Sequence, residues 1–576
     1  MSNSPDALPL LTSVDPAGRV RRVVGLIMIV GAGLLLFPNL GHTALWDDEA
    51  ITAMTSVNVW NTGDTGVRFG HNLVLYRNGL LLGDTPADRY TSPLQFYLTA
   101  PFVGWLGPTA LAARLPFALC GLLTVVVLVR WMFKARTGAT LSVLLMLATL
   151  GNVSLFLFAR TCRYYALVTL LALVVVYFYM HFDRRRRSLV GLIVASLLLL
   201  SSNYLSFVTV WLCISLDYLI WGRRSIRVTL RDVLLFITTH LVVGLMLVRV
   251  WNPLGKDPAV FGAHDWLVNR ILLFGWSLRD LSRAEFVALP LLALALLLVT
   301  LSLLFITLAR PLVTLAPRLV TLAPTLVTRV TWFARWRDNA LMVRGLVALF
   351  AFVALTALLS PQDMRGANEA DLRYLTPVLP LGIALGAGVV QMLGFNRLFP
   401  CLLIGVVAFF TNTCHTLGLS SDGLRSTVAL YVRELLHPLP EPYTPTIDWI
   451  RAHVGFGQSV RVVPAHMMYP LMFHAPGAVY AWQLTEPVKS TLTTLPDVHF
   501  AGRVAPDFLI AFGPSDADMT SASSPVSSIL HRYDRVQTLN VYYDDLYRPE
   551  LIWRTFSPLP VTHPDTDAIY IYQRLR

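Results

Sequence analysis

Apolar runs of about twenty residues recur along this chain, and each is long enough to cross a bilayer as a helix. They fall at 21–40, 110–130, 138–158, 164–182, 188–204, 205–221, 233–251, 286–309, 340–360, 375–394 and 398–416. A chain of 576 residues with so many such runs cannot fold around one water-excluding core. The composition agrees, with 55% hydrophobic and only 14% charged residues, against roughly 25% charged in soluble domains. The expected fold is therefore a polytopic α-helical membrane protein of about eleven transmembrane helices.

The net charge of +12 does not indicate nucleic acid, because no segment offers a continuous basic face. The cations sit in short blocks between apolar runs: Arg19/Arg21/Arg22, Arg130/Lys134/Arg136, Arg184–Arg187, Arg223/Arg224/Arg227/Arg231, Arg310 through Arg337, and Arg397. Walking through the spans puts every block on one side. The positive-inside rule makes that side cytoplasmic, with the N-terminus inside and the C-terminus outside. Arg19–Arg22 precede an apolar run with no small-residue cleavage pattern, so it reads as an uncleaved first span. The implied location is a bacterial inner membrane.

Two domains are expected. Residues 1–416 form the transmembrane part, with an outer loop at 41–109. Within that loop the stretch 92–107 is apolar but short and carries Pro93 and Pro101, which suits an interfacial or re-entrant helix. Residues 417–576 lose the long apolar runs and form a soluble α/β domain on the outer side. Strands are expected at 459–463, 507–512, 535–543 and 568–575, and helices at 444–454 and 465–474. Proline every seventh residue in the repeat 311–328 argues against a long straight helix there. The five cysteines make no CxxC pair, and none lies in the tail, so neither a disulfide framework nor a zinc site is expected. His466 and His474 of the tail read as surface or packing residues.

The polar residues on the outer side are the candidates for chemistry. Asp47, Asp48 and Glu49 follow the first span directly. Such a cluster repels itself unless cations, metal or solvent offset it. It suits a general base at the membrane surface, and equally the solvated first turn of a helix. No motif requires a cofactor, and the acids leave room for a divalent metal. Arg160 and Arg163, three apart beside Tyr164 and Tyr165, are cations on the side the positive-inside rule disfavours, a pattern that suits anion holding. Arg373 and Tyr374 form a second such pair, with Arg365, Glu369 and Asp371 near enough in sequence for an internal salt bridge. Asn203 and Tyr204 interrupt the apolar sequence as headgroup ligands or as a plain turn. His71, Arg77, Arg89 and Tyr90 stand out in the outer loop. P-loop, GxSxG and HExxH motifs are missing from the sequence.

Taken in order, LWDDEA, TSPLQFYL, LGPTALAARLPFALCGLL, FARTCRYYAL and LRYLTPVLP resemble the bacterial GT-C glycosyltransferases related to protein O-mannosyltransferases and lipid A aminoarabinose transferases. The resemblance covers about the first 395 residues. It implies a polyprenyl-phosphate-linked sugar as donor, a glycan, lipid or protein as acceptor, and inverting transfer from the sugar C1 on the outer face. It places the family's Asp-Glu pair on Asp48 and Glu49, with Asp48 as base. Its phosphate-holding Arg and Tyr fall on Arg163 and Tyr165, and on Arg373 and Tyr374. Thr161 stands where many relatives carry an acid, and Ser92 where the aminoarabinose transferases carry Lys. Arg89 is then expected to take part of the phosphate contact. The alternative from another class is a lipid-linked-sugar flippase or transporter, whose intramembrane charges and broken helices would mark it.

Overall fold

The computed structural model describes residues 16–74, 87–183, 186–224, 226–251, 266–284, 340–360, 372–413, 424–438, 441–481, 495–500, 503–513, 527, 529–541 and 568–575. The molecule is mostly helical with several apolar helices. The expected span 286–309 and the repeat 311–328 lie outside the described residues, as do Arg77, Arg365, Glu369 and Asp371.

α1 (Pro16–Leu36) leads to α2 (Asp47–Thr62), followed by the short antiparallel strands β1 (Arg68–Phe69) and β2 (Asn72–Leu73). Next come α3 (Leu94–Leu106), α4 (Ala110–Lys134), α5 (Ala139–Gly151), α6 (Val153–Ala159), α7 (Tyr165–Met180), α8 (Arg186–Ser202), α9 (Tyr204–Ile220), α10 (Leu230–Val250) and α11 (Trp266–Ala284). α12 (Ala340–Leu359), a 3-10 turn (Leu372–Val378), α13 (Leu379–Leu393) and α14 (Leu398–Phe410) complete the apolar part. Ala110–Lys134, Leu230–Val250, Leu341–Leu359 and Leu372–Leu393 are each long and apolar enough to cross a membrane. Tyr165–Met180, Arg187–Ser202, Tyr204–Ile220 and Leu398–Phe410 are shorter apolar helices.

The run 138–158, expected as one helix, is broken. α5 and α6 meet at 51°. The Asn152 side chain accepts the Leu155 amide at 2.8 Å and so caps a new helix. Gly151 is required on the other side of the break, since a Cβ there would lie 2.3 Å from the Phe409 carbonyl. The stretch 92–107 does form a helix, α3, packed along α2. Gly104 allows that approach, because a Cβ would lie 2.2 Å from the Trp60 ring. Trp60 and Trp105 meet edge to face at 5.8 Å and remain substantially exposed, as in an interfacial aromatic belt.

The C-terminal elements are α15 (Thr427–Leu436), α16 (Tyr443–His453), β3 (Ser459–Val463), α17 (Met468–His474), β4 (Val479–Tyr480), β5 (Phe508–Phe512), β6 (Tyr533–Asn540) and β7 (Ala568–Arg574). The strands form one sheet in the order β4-β3-β5-β7-β6, parallel across β4-β3-β5 and antiparallel at β7. β5 is buried along its whole length, which explains its unbroken apolar sequence. α16 turns Ile447 and Ile450 inward and leaves Asp448 and Arg451 outside, 3.8 Å apart. This sheet and its helices pack on the segment between α2 and α3. The Asn72 side chain donates to the Ala478 carbonyl at 3.0 Å and accepts the Tyr480 amide at 2.8 Å. Tyr431 donates to the Leu35 carbonyl at 2.9 Å, and Phe69 stacks on Phe473.

Candidate functional site

Three adjacent acids open α2, where the helix dipole favours negative charge. The fold then separates them. Glu49 reaches back to accept the Trp46 amide at 3.3 Å and is fully buried. A carboxylate without water needs a cation and a full set of donors. Arg114 of α4 supplies both prongs, Nε to Oε1 at 2.9 Å and Nη2 to Oε2 at 2.6 Å. The Cys162 amide adds a fourth bond at 2.6 Å. The remaining Arg114 donors take the carbonyls of Leu40, Thr43 and Ala44 at 2.9–3.1 Å. Glu49 thus ties α2, α4 and the α6–α7 turn together, and its oxygens are occupied.

Asp48 points elsewhere. Arg163 Nη2 lies 2.8 Å from Asp48 Oδ2, and Arg373 Nη1 lies 3.5 Å from the same oxygen. Thr52, one turn on, accepts Arg163 Nη1 at 3.1 Å and donates to the Asp48 carbonyl at 2.9 Å. The i, i+4 spacing puts both on one face. Arg163 comes from the turn between α6 and α7, and its Cζ lies 5.9 Å from the Tyr164 ring. Arg373 comes from the 3-10 turn, which Thr169 of α7 anchors by donating to the Thr376 carbonyl at 3.1 Å. Tyr374 lies under Arg373 at 5.3 Å. Burial works against the charge on Arg163, but Asp48 more than offsets it and holds the guanidinium above its ordinary pKa. The Asp48 and Arg163 side chains are only 15% and 14% exposed, so the pair is largely shielded from bulk water. Two guanidiniums thus flank one carboxylate.

The structure brings together Asp48, Arg163, Arg373 and Tyr374 out of the expected set. Asp47 stays at the helix start and accepts the Asp48 amide at 2.8 Å. Tyr165 is wholly buried, edge-on to Phe158 and Tyr164. Arg160, expected on the same anion, instead donates to the Leu36 and Pro38 carbonyls at 2.6 and 2.8 Å and satisfies the end of α1. Arg89, expected to share the phosphate contact, grips Asp64 with two bonds of 2.6 and 2.7 Å. Its nearest acid took it, and Asp64 is held below the usual carboxylate range by that partner. Tyr90 lies in the turn whose amides Asp88 accepts. Asn203 caps α9 by accepting the Ser206 amide at 2.9 Å, the turn reading of that polar break. Tyr204 begins the same helix. His71 sits edge-on to Phe456 of the sheet domain and lines a cavity of about 370 Å³ there.

Arg114 and Thr52 escaped the sequence reading. An arginine four residues into an apolar span was the available signal for Arg114, since such a residue nearly always has a buried partner. Among the described residues no three His, Cys, Asp or Glu side chains gather as for a metal ion. The cationic surroundings of Asp48 disfavour a divalent cation at that carboxylate.

The class these features define is a multi-helix membrane protein with a carboxylate held between two arginines where α2, the α6–α7 turn and the 3-10 turn converge. The chain is similar to the solved structure of ArnT from Cupriavidus metallidurans bound to undecaprenyl phosphate, with 16% identity, 96% of this chain and 98% of that one covered, and a TM-score of 0.47. It is similar to the same protein in the apo state at 16% identity, over 88% and 95% of the two chains, with a TM-score of 0.46. It is also similar to the archaeal oligosaccharyltransferase AglB from Archaeoglobus fulgidus in complex with an inhibitory peptide and a dolichol-phosphate, at 9% identity, over 96% and 88%, with a TM-score of 0.41. No protein-family model and no curated protein matches the chain.

Proposed function

We propose that the chain is a GT-C-type glycosyltransferase that moves a sugar from a polyprenyl-phosphate-linked donor to an acceptor, inverting at C1. The carrying observation is Asp48 between Arg163 and Arg373, beside a bundle of apolar helices. Two convergent guanidiniums suit a phosphate whose hydrocarbon tail stays in the bilayer. They also stabilise the negative charge that grows on that phosphate as it leaves. Asp48 accepts the proton of an acceptor hydroxyl while its oxygen attacks C1 and the C1–O bond to phosphate breaks. The lipid phosphate departs on the two arginines. Thr52 holds Arg163 at the angle this needs, and Glu49 keeps α2 in place from behind.

In this reading the chain has about eleven spans, with the site and the sheet domain on the outer face of a bacterial inner membrane. Residues 1–416 carry donor and chemistry. The tail from 417 covers the site or guides the acceptor, which is a glycan, a lipid or a protein.

The test compares wild type with Asp48→Asn in liposomes holding labelled undecaprenyl-phosphate sugars and an envelope extract as acceptor. Loss of a general base lowers turnover by about 10²–10⁴-fold. The same variant leaves two arginines without their counter-ion, so it should bind undecaprenyl phosphate more tightly, by up to about tenfold. Label moving to a new product with wild type alone supports the reading. Equal transfer by both proteins removes Asp48 as base, and lipid crossing the bilayer without any product makes the chain a transporter.

A further inference from the structure

Residues 40–46 lead directly into the helix that carries Asp48, and they are held from two directions. Arg114 takes the Leu40, Thr43 and Ala44 carbonyls from the α4 side. From the sheet domain, His474 Nε2 accepts the Leu45 amide at 3.2 Å. His474 is the last residue of α17, whose preceding residues Met468 to Phe473 are all buried. Its own carbonyl accepts Arg451 Nη2 at 2.7 Å, and the Phe473 ring stands edge-on to the imidazole at 5.0 Å. The ring is therefore fixed from within the tail while it grips the entry to α2.

A ring nitrogen that accepts an amide carries no proton. Burial first, then the charges of Arg114 and Arg451, push the His474 pKa down to about 4. Among the described residues the charged groups that act on it are these two cations, from α4 and α16. The acids beside those cations are engaged: Glu49 by Arg114, Asp48 by Arg163 and Arg373, Asp448 by Arg451, and Glu441 by the Tyr443 and Thr444 amides.

We infer that His474 is a positioning residue for Asp48: its neutral imidazole fixes the Leu45 amide and thereby couples the geometry of the Asp48 site to the docking of the C-terminal domain. The functional half of this inference rests on the reading of Asp48 given above; the structural half does not. The tail is then a working part of the site, because α17 packs on α2 and also grips its entry turn at the Leu45 amide.

The test uses the full chain in nanodiscs, with undecaprenyl phosphate as the probe. Hydrogen exchange of residues 43–52 reports the entry turn directly, after correction for the intrinsic pH dependence of exchange. His474→Ala should raise exchange there and weaken lipid-phosphate binding or turnover by about 10–100-fold, the scale of a 1 Å misplacement. His474→Gln, which keeps an acceptor, should restore both to within about threefold, well under the 1.4 kcal/mol that tenfold represents. Wild type should lose protection at 43–52 as pH falls toward 4, and His474→Gln should not. Asn72→Ala loosens the tail elsewhere and should leave 43–52 protected. Unchanged exchange in His474→Ala overturns the inference, as does an equal loss in Asn72→Ala. If exchange responds as stated but no variant or wild type binds undecaprenyl phosphate, the positioning role stands and the donor reading falls.

Discussion

Replacing Arg114 with Met removes the cation that makes Glu49 tolerable. The carboxylate is fully buried, and the pair is bidentate at 2.6–2.9 Å. Breaking a buried pair from one side costs about 3–5 kcal/mol, because the other charge is left without compensation. The expected loss is therefore about 3–5 kcal/mol. Thermal unfolding of wild type and variant in the same detergent measures it. A double variant with Glu49→Gln should recover about 1–3 kcal/mol of the single loss. A deficit below about 1 kcal/mol would refute the assignment of Glu49 to the fold.

Asp48→Asn should lose turnover but lower the unfolding temperature less than Arg114→Met does, since the Asp48 pair keeps 14–15% exposure where Glu49 has none and Thr52 still holds Arg163; the liposome assay and one melting curve decide it. Gly104→Ala places a methyl group 2.2 Å from the Trp60 ring, so the α2–α3 packing should lose about 1–3 kcal/mol, read as a lower unfolding temperature. The sheet domain should weaken in mild acid. Burial holds both His474 and His499 neutral, with pKa values pushed down to about 4. Above an unfolded pKa of about 6.5 this stability is complete, and as pH falls toward 4 it drains by up to about 1.4 kcal/mol per unit for each ring. His499→Phe should flatten that slope, as measured by proteolysis of the tail between pH 7 and 4.5.

Much of the architecture was legible because the bilayer imposes a length. A run of about twenty apolar residues has few other uses, and α1, α4, α7 through α10, α12, α13 and α14 all lie on expected runs. The break in 138–158 was less visible. Its mark was the Gly151-Asn152 pair, and only the Phe409 carbonyl pressing on Gly151 explains why the chain turns there. In the tail, β3, β5, β6 and β7 were readable from alternating and apolar runs. β4 has only two residues and no pattern to show. The order β4-β3-β5-β7-β6 depends on pairings between distant segments, which local periodicity does not encode.

The division between the two sources of information is sharpest at three consecutive residues. Asp47, Asp48 and Glu49 are one acidic cluster as a string, and the string allows them either to start a helix just after a span, as they do, or to act at the membrane surface. It cannot say which of them does chemistry. Successive helical residues point about 100° apart, so the three acids meet different neighbours. Glu49 meets Arg114 from 65 residues away and closes into the core. Asp48 meets Arg163 and Arg373 instead. The same logic divided the arginines: Arg160 went to the end of α1 and Arg89 to Asp64, although both looked as suited to phosphate as Arg163. The amino-acid sequence by itself determined the membrane class, most of the helical segments and the supply of acids and cations between them. Which acid meets which cation was decided by tertiary structure alone, because a charge acts on what lies within a few ångströms of it and not on what precedes it in the chain.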